Sequence, residues 1–153
     1  MVKPFQFARL PKIIFGKGTI VQLPGMINKF GHSIILVTGV QSFLCSDPAK
    51  LLLIQFEESG TGYRNVSIPG EPSPEMIDQV AARFRGEQVS AVVGIGGGSV
   101  LDAGKAISAM LGMEEPVMEF LEGVGTKEHP GTKVPYIAVP TTSGTGSEAT
   151  PWA

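Results

Sequence analysis

Four short apolar runs alternate along the chain with stretches of helical spacing, and this alternation is the strongest constraint on the fold. The runs cover 34–38, 63–68, 89–95 and 135–139, and the first of them (Ile-Ile-Leu-Val-Thr) is typical of a strand buried on both faces of a sheet. Helices are expected at 19–30, 48–58, 74–85 and 100–111. The sequence therefore predicts an α/β fold with an open, mainly parallel sheet flanked by helices.

Local signals indicate where two of these helices begin. Ser46 or Asp47 is expected to cap the helix that starts at Pro48, and Ser73 followed by Pro74 is a typical helix start. The buried side of the 48–58 helix is expected to consist of Leu51, Leu52 and Ile54.

The N-terminal segment is expected to form a short β-ribbon. Its two arms, 5–10 and 12–15, flank Pro11, and the sequence Gly-Lys-Gly at 16–18 would close the ribbon. A short helix at 19–30 follows, with Pro24 in its first turn and Gly31 as its stop.

Length and charge narrow the class of protein. The chain has 153 residues, 42% of them hydrophobic, which fits a single globular domain spanning 1–153. Its net charge is −2, and because it has no basic block we expect neither nucleic acid nor a membrane surface as a partner. One cysteine, Cys45, excludes an intrachain disulfide and favours a reducing compartment, so a cytoplasmic location is expected.

A glycine-rich loop at 94–99, Gly-Ile-Gly-Gly-Gly-Ser, separates a predicted strand from a predicted helix. Bare backbone amides and the positive end of a helix dipole at such a place can bind a diphosphate. The spacing is G-x-G-x-x-S and not the usual G-x-G-x-x-G, and the acidic ribose ligand expected about 20 residues later is missing. The alternative is a tight strand-to-helix turn without a ligand, although three consecutive glycines favour ligand access.

Polar residues follow on the predicted helix. Ser99 and Asp102 match a capping box, but Asp102 could equally face the outer part of a diphosphate site and order a ribose hydroxyl. Asp102, Lys105 and Ser108 form a narrow polar stripe on an otherwise apolar helix, and Lys105 could simply reach solvent.

A second loop, 140–150, is rich in hydroxyl residues and glycines and follows the last predicted strand. A plain surface loop could have this composition. In a parallel sheet, however, the carboxyl ends of the strands share one edge, so the hydroxyls would lie where the first loop could hold a nucleotide.

Two motifs occur in order, G-G-G-S-x-x-D-x-x-K at 96–105 and P-T-T-x-G-T-G-S-E at 140–148, supported by F-G-K-G at 15–18, V-T-G at 37–39 and G-E-P-S at 70–73. Over essentially its whole length the chain resembles the N-terminal nucleotide-binding domain of the iron-containing (group III) alcohol dehydrogenases. That resemblance implies a Rossmann-like domain of the dehydroquinate-synthase type. A dehydroquinate-synthase-like lyase and a glycerol-dehydrogenase-like enzyme remain alternatives, as does a nucleotide-binding module without catalysis.

By that resemblance the cofactor is NAD(P). The pyrophosphate would lie at the glycine loop, with Asp102 near the nicotinamide end and the second loop lining the rest of the cleft. The implied contacts are Gly96, Gly97, Gly98, Ser99, Asp102, Thr141, Thr142, Thr145 and Ser147. Gly39 and Ser42 would lie near the adenine ribose. An Asp at the first of these positions favours NAD by repelling a 2′-phosphate, so Gly39 suggests a slight preference for NADP.

The resemblance also implies a part that this sequence does not contain. Family members transfer a hydride between NAD(P) and a small alcohol or aldehyde, and a divalent metal (iron or zinc), held by one Asp and three His of a helical C-terminal domain, polarises the substrate oxygen. Only His32 and His129 are present; His32 is expected to be a helix C-terminal cap or a solvated side chain, and His129 an exposed side chain. We therefore expect no metal and no catalytic residue in this chain, no turnover by the chain alone, and possible self-association through an uncovered surface.

Overall fold

The computed structural model describes residues 11–40, 43–121 and 123–149. Within them four parallel strands form one sheet in the order β2-β1-β3-β4. The strands are β1 (Ser33–Gly39), β2 (Gly62–Ile68), β3 (Ala91–Gly96) and β4 (Tyr136–Pro140). Each overlaps a run predicted from the sequence to within two residues at either end, and the predicted parallel α/β architecture is confirmed.

The helices also occur where the sequence predicts them. A 3-10 turn at Thr19–Gln22 leads into α1 (Leu23–Ile27), followed by α2 (Asp47–Glu58), α3 (Pro74–Phe84), α4 (Gly98–Met110) and a second 3-10 turn (Val117–Phe120). The N-caps of α2 and α3 are Ser46 and Ser73. Each hydroxyl accepts a hydrogen bond, 3.3 Å long, from the backbone amide three residues later, that of Ala49 or Met76. These caps satisfy one of the four amides that a helix start leaves without a helical acceptor.

The sheet is covered on both faces. Helices α3 and α4 pack on one face, against Ile35 and Val37 of β1, while α1 and α2 pack on the other, against Ile34 and Leu36. Strand β1 is buried from its second to its sixth residue, as a central parallel strand should be. Helix α4 contacts all four strands and α3, so it lies across most of the width of the sheet on its face.

The prediction for the buried side of α2 was partly wrong. Ala49, Leu52 and Phe56 face the core, whereas Leu51 and Ile54 are 64% and 51% exposed. The buried set follows the i, i+3, i+7 spacing of one helix face, and the apolar run at 51–54 covers every side of the helix. A run of that kind does not identify the buried face.

The ribbon prediction is not supported where the structure describes it. Residues 12–15 form no strand with any described residue, and Phe15 is 98% exposed. The other arm, 5–10, lies outside the described residues. The first ordered turn closes with the amide of Thr19 donating to the Gly16 carbonyl, so Gly16 belongs to the helical entry and not to a strand.

Candidate functional site

The two glycine-rich loops meet at the carboxyl edge of the sheet. Strands β3 and β4 are paired up to Gly96 and Pro140, and the amide of Thr141 then donates to the Gly96 carbonyl at 2.9 Å. Beyond that bond, a β-carbon placed on Gly97 would lie 3.4 Å from Thr142 Oγ1. The predicted meeting of the two loops is therefore observed.

Helix α4 begins inside the glycine loop, two residues earlier than predicted. Its N-cap is Gly97, whose carbonyl accepts the amides of Val100 and Leu101. The amides of Gly98 and Ser99 have no acceptor among the described residues. The positive end of a 13-residue helix thus presents two free N–H groups at the sheet edge, which suits an anionic ligand.

Packing requires three glycines of this region, and for Gly96 this replaces the predicted reason, which was ligand access. A β-carbon on Gly96 would come within 2.7 Å of the Val100 side chain. One on Gly94 would come within 2.6 Å of the Tyr136 hydroxyl, and one on Gly104 within 2.9 Å of the Tyr136 ring. Gly97 is different because its added β-carbon would meet only ordinary contacts, so packing does not explain a glycine there.

Tyr136 fills the space that these glycines leave. Its hydroxyl donates to the Leu101 carbonyl of α4 at 2.8 Å, so the side chain ties β4 to that helix. Burial, with a smaller contribution from the Asp102 carboxylate, raises the pKa of Tyr136 above its ordinary value. The phenol is therefore a neutral donor throughout the physiological range.

Ser99 does not cap α4, so the capping-box interpretation was wrong. The residue lies inside the helix, and its hydroxyl donates to Glu71 Oε2 at 3.1 Å. Glu71 belongs to the loop between β2 and α3 and was not among the predicted site residues. The signal that could have found it is its place in the G-E-P-S segment after β2, whose carboxyl end lies at the same edge as the glycine loop.

A polar cluster lies beneath the two loops and consists of Asp102, Lys105 and Ser147. Ser147 Oγ donates to Asp102 Oδ2 at 3.1 Å, and Lys105 Nζ donates to the Ser147 carbonyl at 2.7 Å. Lys105 Nζ also lies 4.0 Å from Asp102 Oδ1. The lysine side chain is only 9% exposed, so the alternative in which it reaches solvent was wrong.

The charges in this cluster are unequal in their exposure. Burial lowers the pKa of Lys105, and the nearby carboxylate of Asp102 opposes that shift. The Asp102 side chain is 48% exposed and remains accessible from the edge. Ser147 is buried and directs its hydroxyl to Asp102, whereas Thr141, Thr142 and Thr145 of the same loop are exposed.

Gly39 ends β1 at the same edge of the sheet. It pairs with Ile68 of β2, one residue beyond the pair that joins Thr38 to Ile95 of β3. Thr38 is fully buried, and its hydroxyl donates to Asn65 Oδ1 of β2 at 3.2 Å, a contact that was not predicted. Ser42 lies outside the described residues.

The two histidines are not close to these loops. His32 is exposed, as expected, but His129 is half-buried, with Nδ1 accepting the Gly131 amide at 3.0 Å and Nε2 3.2 Å from the Ala109 carbonyl. His129 is therefore held between the end of α4 and its own loop and is only partly solvated, so the expectation of an exposed side chain was wrong. Among the described residues, no three His, Cys, Asp or Glu side chains are grouped as a metal would require.

One cavity, of about 480 Å³, lies at the opposite, amino-terminal edge of the sheet near His32, Arg64 and Glu87. The guanidinium of Arg64 is already paired with Glu87, since Arg64 Nε lies 2.9 Å from Glu87 Oε2. The cavity therefore offers a charged ligand no unbalanced charge. In the part of the chain that the structure describes, none of the helices is long and apolar enough to cross a membrane.

Comparison with known proteins gives a consistent result. The family model for iron-containing alcohol dehydrogenases matches residues 11–153. An alcohol dehydrogenase from Thermococcus barophilus is 28% identical over 147 residues, which are 93% of this chain and 38% of that protein. The chain thus spans less than half the length of the curated relatives it matches.

Solved structures agree with the sequence match. NADH-dependent butanol dehydrogenase A from Thermotoga maritima superposes with a TM-score of 0.85 at 26% identity, covering 96% of this chain and 37% of that one. Sulfoacetaldehyde reductase from Bifidobacterium kashiwanohense, solved in complex with NAD⁺, gives 0.81 at 28% identity, covering 97% and 38%. With a family match over nearly all of its length and the same arrangement of strands and helices, this chain belongs to the iron-containing alcohol dehydrogenase family.

Proposed function

We propose that residues 1–153 are the dinucleotide-binding domain of a metal-dependent alcohol dehydrogenase that transfers a hydride between NAD(P) and a small alcohol or aldehyde. The observation that carries this proposal is the pair of free amides, Gly98 and Ser99, at a helix start that the second loop flanks. Relatives named as alcohol dehydrogenases and a relative bound to NAD⁺ support the class of reaction and of ligand.

The residues present fit a dinucleotide. The amides of Gly98 and Ser99 would donate to the diphosphate, and Gly97 would leave room for its approach, since only ordinary contacts meet a β-carbon there. Gly96 shapes the turn by its packing on Val100 and would not need to touch the ligand. Diphosphate oxygens accept such N–H groups strongly because the hydrogen bonds are charge-assisted.

The second loop and Asp102 would complete the cleft. The exposed hydroxyls of Thr141, Thr142 and Thr145 can donate to or accept from ribose and phosphate groups. The accessible Asp102 carboxylate would accept a ribose hydroxyl or the carboxamide N–H of the nicotinamide. Ser147 would act indirectly, because its hydroxyl is directed to Asp102.

The adenosine end would lie at Gly39 and Ser42. An acidic side chain at the end of this strand would repel a 2′-phosphate, and Gly39 has none, so we propose a slight preference for NADP over NAD. Bound nicotinamide supplies the hydride chemistry. The residues described here only bind and orient it, and the metal ligands and alcohol pocket are proposed to belong to a further helical domain.

Calorimetric titration of the chain with NAD, NADP and ADP tests this function. We expect saturable binding of the dinucleotides, with NADP at least as tight as NAD. A chain that folds but binds none of the three would refute the proposal.

Sedimentation in the same buffer tests the expected self-association. We also propose a cytoplasmic location, with which the single cysteine, exposed Cys45, is consistent.

A further inference from the structure

A buried lysine joins the second loop to helix α4. Lys105 lies on the third turn of α4, and its ammonium donates at 2.7 Å to the carbonyl of Ser147, 42 residues away in the chain. Both residues are buried, with 7% and 6% of their surface exposed. A buried ammonium forms one of the stronger hydrogen bonds available to a backbone carbonyl.

Asp102 closes this connection into a ring. Ser147 Oγ donates to Asp102 Oδ2 at 3.1 Å, and Asp102 Oδ1 is 4.0 Å from the ammonium of Lys105, one helical turn away. Ser147 is therefore held twice, through its carbonyl by Lys105 and through its hydroxyl by Asp102. A residue held at two atoms by one rigid helix has a defined position and orientation.

The position of Ser147 determines what lies over the glycine loop. The site of a β-carbon on Gly98 is 3.3 Å from both Ser147 Oγ and Thr145 Cγ2, and that of Gly97 is 3.4 Å from Thr142 Oγ1. The backbone amide of Ser147 also donates a hydrogen bond to Thr145 Oγ1, at 3.4 Å. Fixing Ser147 thus fixes Thr145 beside the free amides of α4.

Stability alone does not account for a lysine here. Burial lowers the pKa of Lys105, so its charged form is less favourable in the folded chain than in water, and the carboxylate of Asp102 only opposes this. An apolar side chain of similar length would avoid that cost. What the ammonium provides is a fixed position for the loop, through its hydrogen bond to the Ser147 carbonyl.

We infer that Lys105, Asp102 and Ser147 form a latch that holds loop 141–149 in its binding position before the dinucleotide arrives, with Lys105 and Ser147 as positioning residues. The ligand in this inference rests on the proposed function. Because the loop is ordered in advance, binding does not have to supply the free energy of ordering it, and affinity is higher.

Ser147→Ala tests the latch, with Ser147→Thr as the variant that keeps the hydroxyl and Ser143→Ala as the matched control. Ser143 is exposed, lies in the same loop and makes no side-chain hydrogen bond among the described residues. Amide hydrogen exchange of loop 141–149, measured without cofactor, is expected to become roughly tenfold faster in Ser147→Ala. Ser147→Thr and Ser143→Ala are expected to exchange like the wild type.

Titration with NAD and NADP provides the functional readout. We expect Ser147→Ala to bind roughly tenfold more weakly, with no loss in Ser143→Ala and recovery in Ser147→Thr. Lys105→Met, which removes the other contact, should act in the same direction on both measurements. Unchanged exchange in Ser147→Ala would overturn the latch, and faster exchange with unchanged affinity would overturn its role in binding. If the wild type binds no dinucleotide, the proposed function fails, while the exchange rates still decide the latch.

Discussion

Replacing Gly97 with alanine separates folding from binding in the glycine loop. The backbone at Gly97 has φ −79° and ψ −173°, which alanine adopts without strain. Its β-carbon would lie 3.4 Å from Thr142 Oγ1 and 3.7 Å from Thr142 Cγ2, both ordinary contacts. Alanine has fewer unfolded conformations than glycine, which raises the free energy of unfolding by about 0.4–1 kcal/mol, but alanine is a poorer N-cap than glycine by a similar amount. We therefore expect Gly97→Ala to change the free energy of unfolding by less than about 1 kcal/mol.

The same methyl group should weaken binding. A phosphate oxygen must come to about 2.9 Å from the amide of Gly98, whereas a methyl carbon keeps other heavy atoms about 3.5–4.0 Å away. Losing one charge-assisted hydrogen bond costs about 1.5–3 kcal/mol, so the Kd for a dinucleotide should rise roughly ten- to a hundredfold. The variant would fold about as stably as the wild type and bind the dinucleotide more weakly.

Calorimetric titration with NADP and NAD, paired with urea denaturation, measures both quantities. Gly112→Ala is the matched control, because Gly112 is exposed, has nothing within 4 Å of an added β-carbon and lies at the other end of α4. It should leave the Kd unchanged. If Gly97→Ala binds as tightly as the wild type, the diphosphate does not lie against this loop.

Three further substitutions have definite expected outcomes. Gly94→Ala should lower the free energy of unfolding, measured by urea denaturation, by about 1–3 kcal/mol, because the new methyl group collides with the Tyr136 hydroxyl. Adding Tyr136→Phe should recover part of that loss, and a double variant whose loss equals the sum of the two single losses would contradict this. Burial lowers the pKa of Lys105, so the folded chain loses that proton before the unfolded chain does, and the stability of the wild type relative to Lys105→Met should rise as the pH is raised toward the unfolded pKa of about 10.4; a difference that does not change with pH would disprove the shift. Glu71→Gln should tighten dinucleotide binding, most at low salt, because it removes a carboxylate held beside Ser99 at the helix start; weaker binding would show that Glu71 contacts the ligand favourably.

The sheet could be predicted because its signals are local. The apolar run of β1 is bounded by residues that end strands, and Ser46 and Ser73 mark helix starts through hydrogen bonds only three residues long. Once the strands are parallel, geometry brings the ends of β3 and β4 to one edge. The meeting of Gly96 with Thr141 follows from that topology without knowledge of any tertiary contact.

The orientation of polar side chains at the site could not be predicted in the same way. Helix α4 is buried on almost every side, so periodicity does not tell whether Lys105 points to solvent or to the loop. The contacts of Ser147 with Asp102 and Lys105 span 45 and 42 residues and depend on how the loop folds back. Gly96 was misread for a related reason, since its neighbour Val100 collides only after the chain turns into the helix.

Because α4 carries the free amides and is also a central element of the core, ligand binding and thermal unfolding are expected to be linked. Nine of its 13 residues are buried, beginning at Val100, so the helix that carries these amides cannot leave the sheet without loss of much of the core. A ligand at one hundred times its Kd would then add about 2.7 kcal/mol to the stability of the entire domain. For a chain of this size that corresponds to a rise in Tm of roughly 5–10 °C, which makes melting temperature a direct measure of occupancy.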